Sequence, residues 1–466
     1  MAEFTATVAQ MRQRGEFFSV GTPLHVARAP GRLDLMGGND DYTGGLVFEA
    51  TIREATFAAV QLRDDQQIIF LNPNMRERGW RDHIGFTFDD LSDESRARNV
   101  VNRHAAERWT AYALGNFYWL KSRYPECVKV GANVYLESTV PLNKGVSSSA
   151  ALEVAVMKAA AHAYGLELSG VPLATACQWV ENVIAESACG IMDQITVILG
   201  DEGFVLPLVC QPCHPEPLIR LPEGLVCWAV DSGVSHAVTG VEYEAARAAA
   251  FMGYRLICGY EGLTVQRDPS SEIPRWTDCR WNGYLANVPL SIFRAQYESR
   301  LPEFLSGADF LREWETHVDP FTTVRPEIQY RIRANTRYAV EENHRVRLFS
   351  ELARGTATNH SLRAFELMGD LMYQSHLAYT ECGLGCEATD LLVSLAREVG
   401  APNGIWGAKI TGGGAGGTVA ILGLKKARPA FDRIVARYAA LKSSTPYVFE
   451  GSSPGADRSG VVVLET

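Results

Sequence analysis

The stretch Pro141-Leu-Asn-Lys-Gly-Val-Ser-Ser-Ser-Ala-Ala151 decides how this 466-residue chain is read. Gly145 can take strained dihedrals just ahead of Ser147, Ser148 and Ser149, and Leu152, Val156, Ala159 and Ala160 then follow at helical spacing to a stop at Gly165. The serines can cap that helix. Its first turn also offers N–H groups bearing partial positive charge, a cradle for phosphate. Taken alone, the stretch fits either an ordinary serine-capped helix or a phosphate site. It is not a Walker A loop, because Lys144 precedes Gly145 instead of following a second glycine.

Two more glycine-rich segments lie on either side: Ala29-Pro-Gly-Arg-Leu-Asp-Leu-Met-Gly-Gly-Asn-Asp-Asp-Tyr-Thr-Gly-Gly45 and Lys409-Ile-Thr-Gly-Gly-Gly-Ala-Gly-Gly-Thr418. The latter contains G-x-G-x-x-G as Gly412, Gly414 and Gly417, but a dinucleotide fingerprint opens a helix at its glycines, and Thr418-Val-Ala-Ile-Leu422 reads as a strand. A glycine hairpin between strands is expected there, bringing bare backbone close to a ligand or another loop. An oxidoreductase built on these glycines is disfavoured.

Composition narrows the class. With 47% apolar and 21% charged residues the chain can bury a large core, and its 44 basic against 54 acidic side chains give a net charge of −10 with no basic block to track nucleic acid. No apolar run approaches the roughly 20 residues of a membrane helix. Met1 to Phe18 has neither a basic start with an apolar core nor an acid-poor transit composition, so a cytoplasmic location is expected. The ten cysteines are irregularly spaced and read as mostly buried thiols; Cys210 with Cys213 and Cys382 with Cys386 have unequal spacings and argue poorly for zinc.

Helices are expected at Trp109 to Arg123 and Leu173 to Glu186, and strands at Leu46 to Ala50, Val134 to Leu136 and Leu225 to Val230. The polar, proline-dotted stretch Pro207 to Pro222 places a domain boundary that divides the chain into 1–222 and 223–466. Arg331, Arg333, Arg337, Arg345 and Arg347 read as a solvated helix face. Glu261 to Trp281 is irregular, shaping a pocket or forming a surface loop, and the tail Gly451-Ser-Ser-Pro-Gly-Ala456 has only a turn-forming composition to explain it.

In Cys189-Gly-Ile-Met-Asp-Gln194 an acid stands among apolar neighbours, with Glu181 twelve positions upstream. A helix cap or a surface ion pair would account for Asp193 alone. The whole constellation, however, resembles the GHMP sugar kinases, the superfamily of galactokinase, homoserine kinase and mevalonate kinase. Ala29-Pro-Gly-Arg32 is similar to their N-terminal motif, Gly145-Val-Ser-Ser-Ser-Ala150 to their ATP-binding motif, and Lys409-Ile-Thr-Gly-Gly-Gly-Ala-Gly-Gly417 to their C-terminal glycine motif.

The resemblance implies an α+β, two-lobed GHMP kinase fold with the active site in the cleft between the N- and C-terminal domains. It implies Asp193 as catalytic base with Arg32 beside it, and Lys144, Gly145, Val146, Ser147, Ser148, Ser149, Ala150, Gly412, Gly413 and Gly414 around ATP. Ser149 and Glu181 correspond to magnesium ligands. Asp231-Ser-Gly-Val-Ser-His236 with Glu242-Tyr243 resembles the sugar-side segment, in which Tyr243 matches a sugar-contacting tyrosine. These residue types suit phosphoryl transfer, which needs positioning, charge neutralisation and a carboxylate within reach of the attacking hydroxyl.

Galactokinases follow their N-terminal arginine with Gly-Glu-His-x-Asp-Tyr, whose Glu and His hold the C6 end of a hexose. This chain reads Gly37-Gly-Asn-Asp-Asp-Tyr42, keeping Asp41 for the sugar ring but placing Gly38 and Asn39 where the Glu and His would be. L-Arabinose has the hydroxyl configuration of D-galactose without the C6 group, so the substitution suits an arabinose site. The chain resembles the arabinokinase domain of plants at Gly37-Gly38, Asp231-Ser-Gly233, Cys382-Gly-Leu-Gly385 and Phe449-Glu-Gly-Ser-Ser-Pro-Gly-Ala456. The expected activity is ATP- and Mg²⁺-dependent phosphorylation of the anomeric hydroxyl of a monosaccharide, L-arabinose giving its 1-phosphate, with no nucleic-acid, membrane or obligate protein partner. The alternatives are a galactokinase, a fucose, glucuronate or heptose kinase, and a silent sensor of sugar and ATP. The sensor is disfavoured because Ser147 to Ala150, Glu181 and Asp193 are all intact.

Overall fold

The computed structural model describes residues 1–235, 240–269, 275–356 and 361–465. The first half runs α1 (Ala2–Gln13), β1 (Leu24–Met36), β2 (Leu46–Leu62), β3 (Gln67–Leu71), β4 (His83–Thr87), α2 (Glu94–Val101), α3 (Thr110–Arg123), β5 (Ala132–Ser138), α4 (Ser148–Ala163), α5 (Gly170–Val183), α6 (Met192–Leu199), β6 (Phe204–Val209), β7 (His214–Pro215) and β8 (Ile219–Arg220). The second runs β9 (Leu225–Asp231), α7 (Val241–Tyr260), the short pair β10 (Gln266–Arg267) and β11 (Trp276–Thr277), α8 (Leu290–Ile292), β12 (Leu305–Ser306), α9 (Gly307–Glu313), β13 (Gln329–Tyr330), α10 (Ile332–Thr356), α11 (Leu362–Cys382) and α12 (Glu387–Val399). It ends with β14 (Ile405–Ile410), β15 (Thr418–Leu424), α13 (Arg428–Lys442), β16 (Val448–Phe449), α14 (Ala456–Ser459) and β17 (Val461–Leu464).

Among the described residues a nine-stranded sheet has the backbone order β17-β1-β2-β5-β3-β4, with β6 on β2 carrying β7 and β8. β1 and β2 form its long antiparallel spine, and the register slips between Pro30 and Arg32. Pro30 has no N–H to give the ladder, so the strand bulges there and re-aims Arg32. α4 and α6 pack on this sheet, and α3 and α5 pack against those helices. α4 is buried on all sides because Ala150, Ala151, Ala155, Ala159, Ala160 and Ala161 let its neighbours approach closely. The second sheet is antiparallel in the order β14-β15-β9-β16, covered by α12 and α13. Leu33, Phe48 and Ile52 pack with Phe349, Met368, Met372, Trp406 and Leu422 in one core shared by both halves.

Several elements differ from the sequence reading. Leu46 to Ala50 extends to Leu62, because Glu49 and Glu54, which break its apolar run, are buried against partners: Arg32 approaches Glu49 at 3.4 Å and the Tyr447 hydroxyl donates to Glu54 at 2.9 Å. The helix at Leu173 stops at Val183, and Glu186 turns the chain with φ of 53°. The arginine run is not simply solvated: Arg345 is buried against Glu342 at 2.7 Å, and Arg333 donates to the Leu301 carbonyl at 2.6 Å. The chain passes to the second sheet between β8 and β9, yet β17 returns from the far terminus to pair with β1. The Gly451–Ala456 tail that leads there is held by Arg28 donating to Pro454 at 2.9 Å, Thr51 donating to Ser453 at 2.6 Å, and the Gly455 N–H on Gly200 at 2.8 Å. No helix among the described residues is long and apolar enough to cross a membrane.

Candidate active site

The three glycine segments meet backbone to backbone. A Cβ on Gly31 would stand 2.7 Å from the Val146 carbonyl, one on Gly412 2.8 Å from that of Gly145, and one on Gly38 2.9 Å from that of Gly412. Ordinary carbon contacts need more than 3 Å, so these glycines are required by close approach. Only with bare backbone can β1, the start of α4 and the β14–β15 hairpin converge.

Arg32 occupies the junction. Its Nε and Nη2 each lie 2.7 Å from Asp193 Oδ1, its Nη1 donates to the Gly145 carbonyl at 2.7 Å, and its backbone N–H donates to Val146 at 3.1 Å. Burial opposes its charge, but Asp193, Glu49 and Asp34 outweigh that and hold the guanidinium above its ordinary pKa. Asp193, in the first turn of α6, also accepts from Ser147 Oγ at 2.5 Å, and its side chain stays 22% exposed, within reach of a ligand.

This corrects the expected serine cap. Ser147 takes a left-handed conformation with φ of 58°, spends its hydroxyl on Asp193 and makes no side-chain cap to α4. The first N–H groups of a 16-residue helix are therefore left without a side-chain acceptor. With Asn143, Gly145 and Ser147 all at positive φ, the loop is a concave row of amides suited to an anion.

Beside it, Glu181 is buried and pushed up to about 7, first by burial and then by Asp193, with the Ser149 hydroxyl hydrogen-bonding it. Gln194 Nε2 donates to Glu181 at 2.7 Å and approaches Glu153 at 3.3 Å. Glu153 is a fully buried acid that the sequence reading missed; an acid inside the apolar run Leu152 to Val156 was the available signal. Among the described residues no group of three or more His, Cys, Asp or Glu could hold a metal. Adjacent hydroxyl and carboxylate oxygens do fit a hard, largely hydrated magnesium ion that takes its other ligands from phosphate and water.

Arg32, Ser147, Ser148, Ser149, Glu181, Asp193 and Gly413 line one cavity of about 390 Å³, whose walls also include Met75, Trp80, Trp109 and Tyr112. Those aromatics were not legible as a set. Other expected residues lie outside the walls: Lys144 ion-pairs with Asp231 at 2.9 Å, and Val146, Ala150, Gly412 and Gly414 form the framework behind.

On the sugar side, the Asp41 carboxylate lies against Gly190, where any Cβ would overlap it. Tyr243 meets Tyr42 edge-on at 6.2 Å. Asn39, at φ of 58°, donates its Nδ2 to the Gly413 carbonyl at 3.1 Å, and the Tyr338 hydroxyl donates to the Gly38 carbonyl. His236 lies outside the described residues.

Asp41 yields a stability prediction. Burial, then Asp193, raises its carboxyl to about 6. A raised acid keeps its proton in the fold, so its contribution is present below the ordinary carboxylate range and is lost as pH rises through about 6. At pH 8 the ionised group opposes folding by on the order of 1–3 kcal/mol. Asp41→Asn is therefore expected to raise the Tm at pH 8, with the gain shrinking towards pH 5. Thermal melts at both pH values check this, and a gain that is equal or larger at pH 5 contradicts it.

Sequence and structure comparisons give the chain's relatives. Residues 111–201 match the GHMP kinases N terminal domain, 351–440 the GHMP kinases C terminal region, and 15–62 the galactokinase galactose-binding signature. An L-arabinokinase of Arabidopsis thaliana is 34% identical over 97% of this chain, which spans about half (48%) of that protein's length. A galactokinase of Chloroflexus aggregans is 30% identical, with 90% of this chain and 88% of that protein covered. In fold, a Lactococcus lactis galactokinase complexed with galactose superposes with a TM-score of 0.74 at 20% identity, covering 98% of this chain and 99% of that one.

Proposed function

The chain belongs to the GHMP kinase family, and from that premise we propose that it is an ATP- and Mg²⁺-dependent sugar kinase that phosphorylates the anomeric hydroxyl of L-arabinose. The observation that carries the kinase reading is the uncapped start of α4 beside Asp193, with Arg32 and Ser147 both bonded to that carboxylate.

The amides of Ser148 and Ser149, at the positive end of α4, bind and orient the nucleotide phosphates. Ser149 and Glu181 would hold magnesium, which supplies charge neutralisation on those phosphates. Asp193 orients the C1 hydroxyl and takes up its proton as the oxygen attacks. Arg32 holds Asp193 in place by its ion pair and presents positive charge where negative charge develops in transfer. Asp41 and Tyr243 bind the sugar ring, and Trp80, Trp109 and Tyr112 offer apolar faces to the nucleotide base.

The substrate reading rests on Gly38 and Asn39. No side chain fits at position 38, because the Tyr379 hydroxyl, Asp34 Oδ2 and the Gly412 carbonyl occupy its place, and the Asn39 amide is engaged by Gly413. Neither position offers a group to hold a hexose C6 hydroxyl, which favours the pentose. The galactose-binding signature over 15–62 and the galactokinase relatives favour a second reading, phosphorylation of D-galactose itself.

ADP release with ATP and Mg²⁺ across L-arabinose, D-galactose, L-fucose, D-glucuronate and heptoses separates the two. L-Arabinose is expected to exceed D-galactose in kcat/KM by about tenfold or more. A higher kcat/KM for D-galactose would leave the kinase assignment standing and overturn the substrate.

A further inference from the structure

Every residue from Gly37 to Gly45 is buried, although this segment is the connection between β1 and β2. Connections usually run over the surface because a buried one must find partners for its backbone groups. Part of the requirement is met locally, by the Gly44 N–H on Asp41 at 3.1 Å and the Gly45 N–H on Asp40 at 2.9 Å. The ends are met from the other half of the chain. At the entry, Glu342 Oε1 accepts from the Gly37 N–H at 3.1 Å, and at the exit Asn343 Oδ1 accepts from the Leu46 N–H at 3.0 Å.

These two neighbours on α10 are themselves fixed. Glu342, with no exposed surface, also accepts from Ser375 Oγ at 2.6 Å and from Arg345 Nε at 2.7 Å, while Asn343 Nδ2 donates to the Ala286 carbonyl at 2.9 Å. Gly37 has φ of 102° and a Cβ there would meet Val47 Cα at 2.8 Å, so the entry cannot adjust by repacking a side chain. Between the held ends stands Asp41, pressed on Gly190, three residues before Asp193.

We propose that Glu342 and Asn343 are positioning residues that clamp both ends of the Gly37–Gly45 connection and thereby set Asp41 against the sugar. The sugar part of this inference rests on the kinase reading above. A displacement of about 1 Å in a substrate-positioning group can lower turnover on the order of a hundredfold, which gives the clamp its leverage.

The test compares Glu342→Gln, which keeps an oxygen acceptor for Gly37, with Glu342→Met, which has similar length and none. Both leave Arg345 without this carboxylate and are expected to lose Tm, Glu342→Met more because the buried Gly37 N–H is then left without an acceptor, so the Tm reports the structural role. Glu342→Met is expected to raise the sugar KM about tenfold while the ATP KM stays within about twofold, and Glu342→Gln to leave the sugar KM within about threefold. Hydrogen exchange should quicken selectively in residues 37–46 of Glu342→Met and not in 144–150. Equal sugar KM values in the two variants, or sugar and ATP KM rising together, would overturn the clamp. Should Glu342→Met fail to fold, Asn343→Leu against Asn343→Asp makes the same contrast at the exit. A wild-type protein that turns over no sugar would instead sink the kinase reading, and the exchange pattern would then decide: selective quickening supports the clamp, uniform or absent quickening overturns it.

Discussion

Asp193→Asn is expected to lower kcat on the order of a thousandfold while leaving the protein folded. The asparagine oxygen can still accept from Arg32, whose Nη1 remains on Gly145, and the Ser147 hydroxyl can turn to accept from the new amide. What is lost is the proton acceptor and the negative charge paired with Arg32. The measurement is kcat with saturating sugar and ATP, together with a melt to verify the fold. Full activity in a folded Asp193→Asn protein would remove Asp193 as the base. Wild-type protein that binds sugar and ATP without turnover would favour the silent sensor.

The second large effect is on stability. Lys409 Nζ lies 2.7 Å from Asp34 Oδ2, both side chains are fully buried, and the pair joins β14 of the second sheet to β1 of the first. Asp34 Oδ2 also receives the Gly412 N–H at 3.3 Å, while its Oδ1 has no hydrogen-bond partner among the described residues. Lys409→Met leaves a carboxylate buried without its cation and is expected to cost about 3–5 kcal/mol. Adding Asp34→Asn, which removes the charge, is expected to recover most of that loss. Urea unfolding of the single and double variants checks both statements. A loss below about 1 kcal/mol, or a double variant no more stable than the single, would contradict the role given to the pair.

Much of this site was legible because glycine is informative when backbones must touch. Gly31, Gly145 and Gly412 sit in motifs whose composition has no other local explanation, and the structure brings those motifs together. The hairpin at Gly412 to Gly417 was legible for the same reason, since the β-rich Thr418 to Leu422 could not continue a dinucleotide fold.

The residues that escaped were those whose environment is made by distant chain. Lys409 and Asp34 are separated by 375 positions, and Glu49 becomes a buried partner of Arg32 only once β1 and β2 pair. Glu342 and Asn343 lay inside the arginine-rich run read as a solvated face, where alternating charge gives no hint of which side turns inward. The serine run was legible as a helix start but not in its detail: Ser147 looks like a cap by composition, and the nearby Asp193 draws its hydroxyl away. The tail at Gly451 to Ala456 could not be read locally because its partners, Arg28, Thr51 and Gly200, belong to the first half of the chain.

The most direct test of the central claim is phosphorus NMR of the product formed by the wild-type protein from L-arabinose, ATP and Mg²⁺. The proposed function predicts one sugar phosphate per ADP, with the phosphorus coupled to the anomeric proton, as a 1-phosphate requires. Phosphate on any other hydroxyl, or ADP formed with inorganic phosphate and no sugar ester, would contradict it.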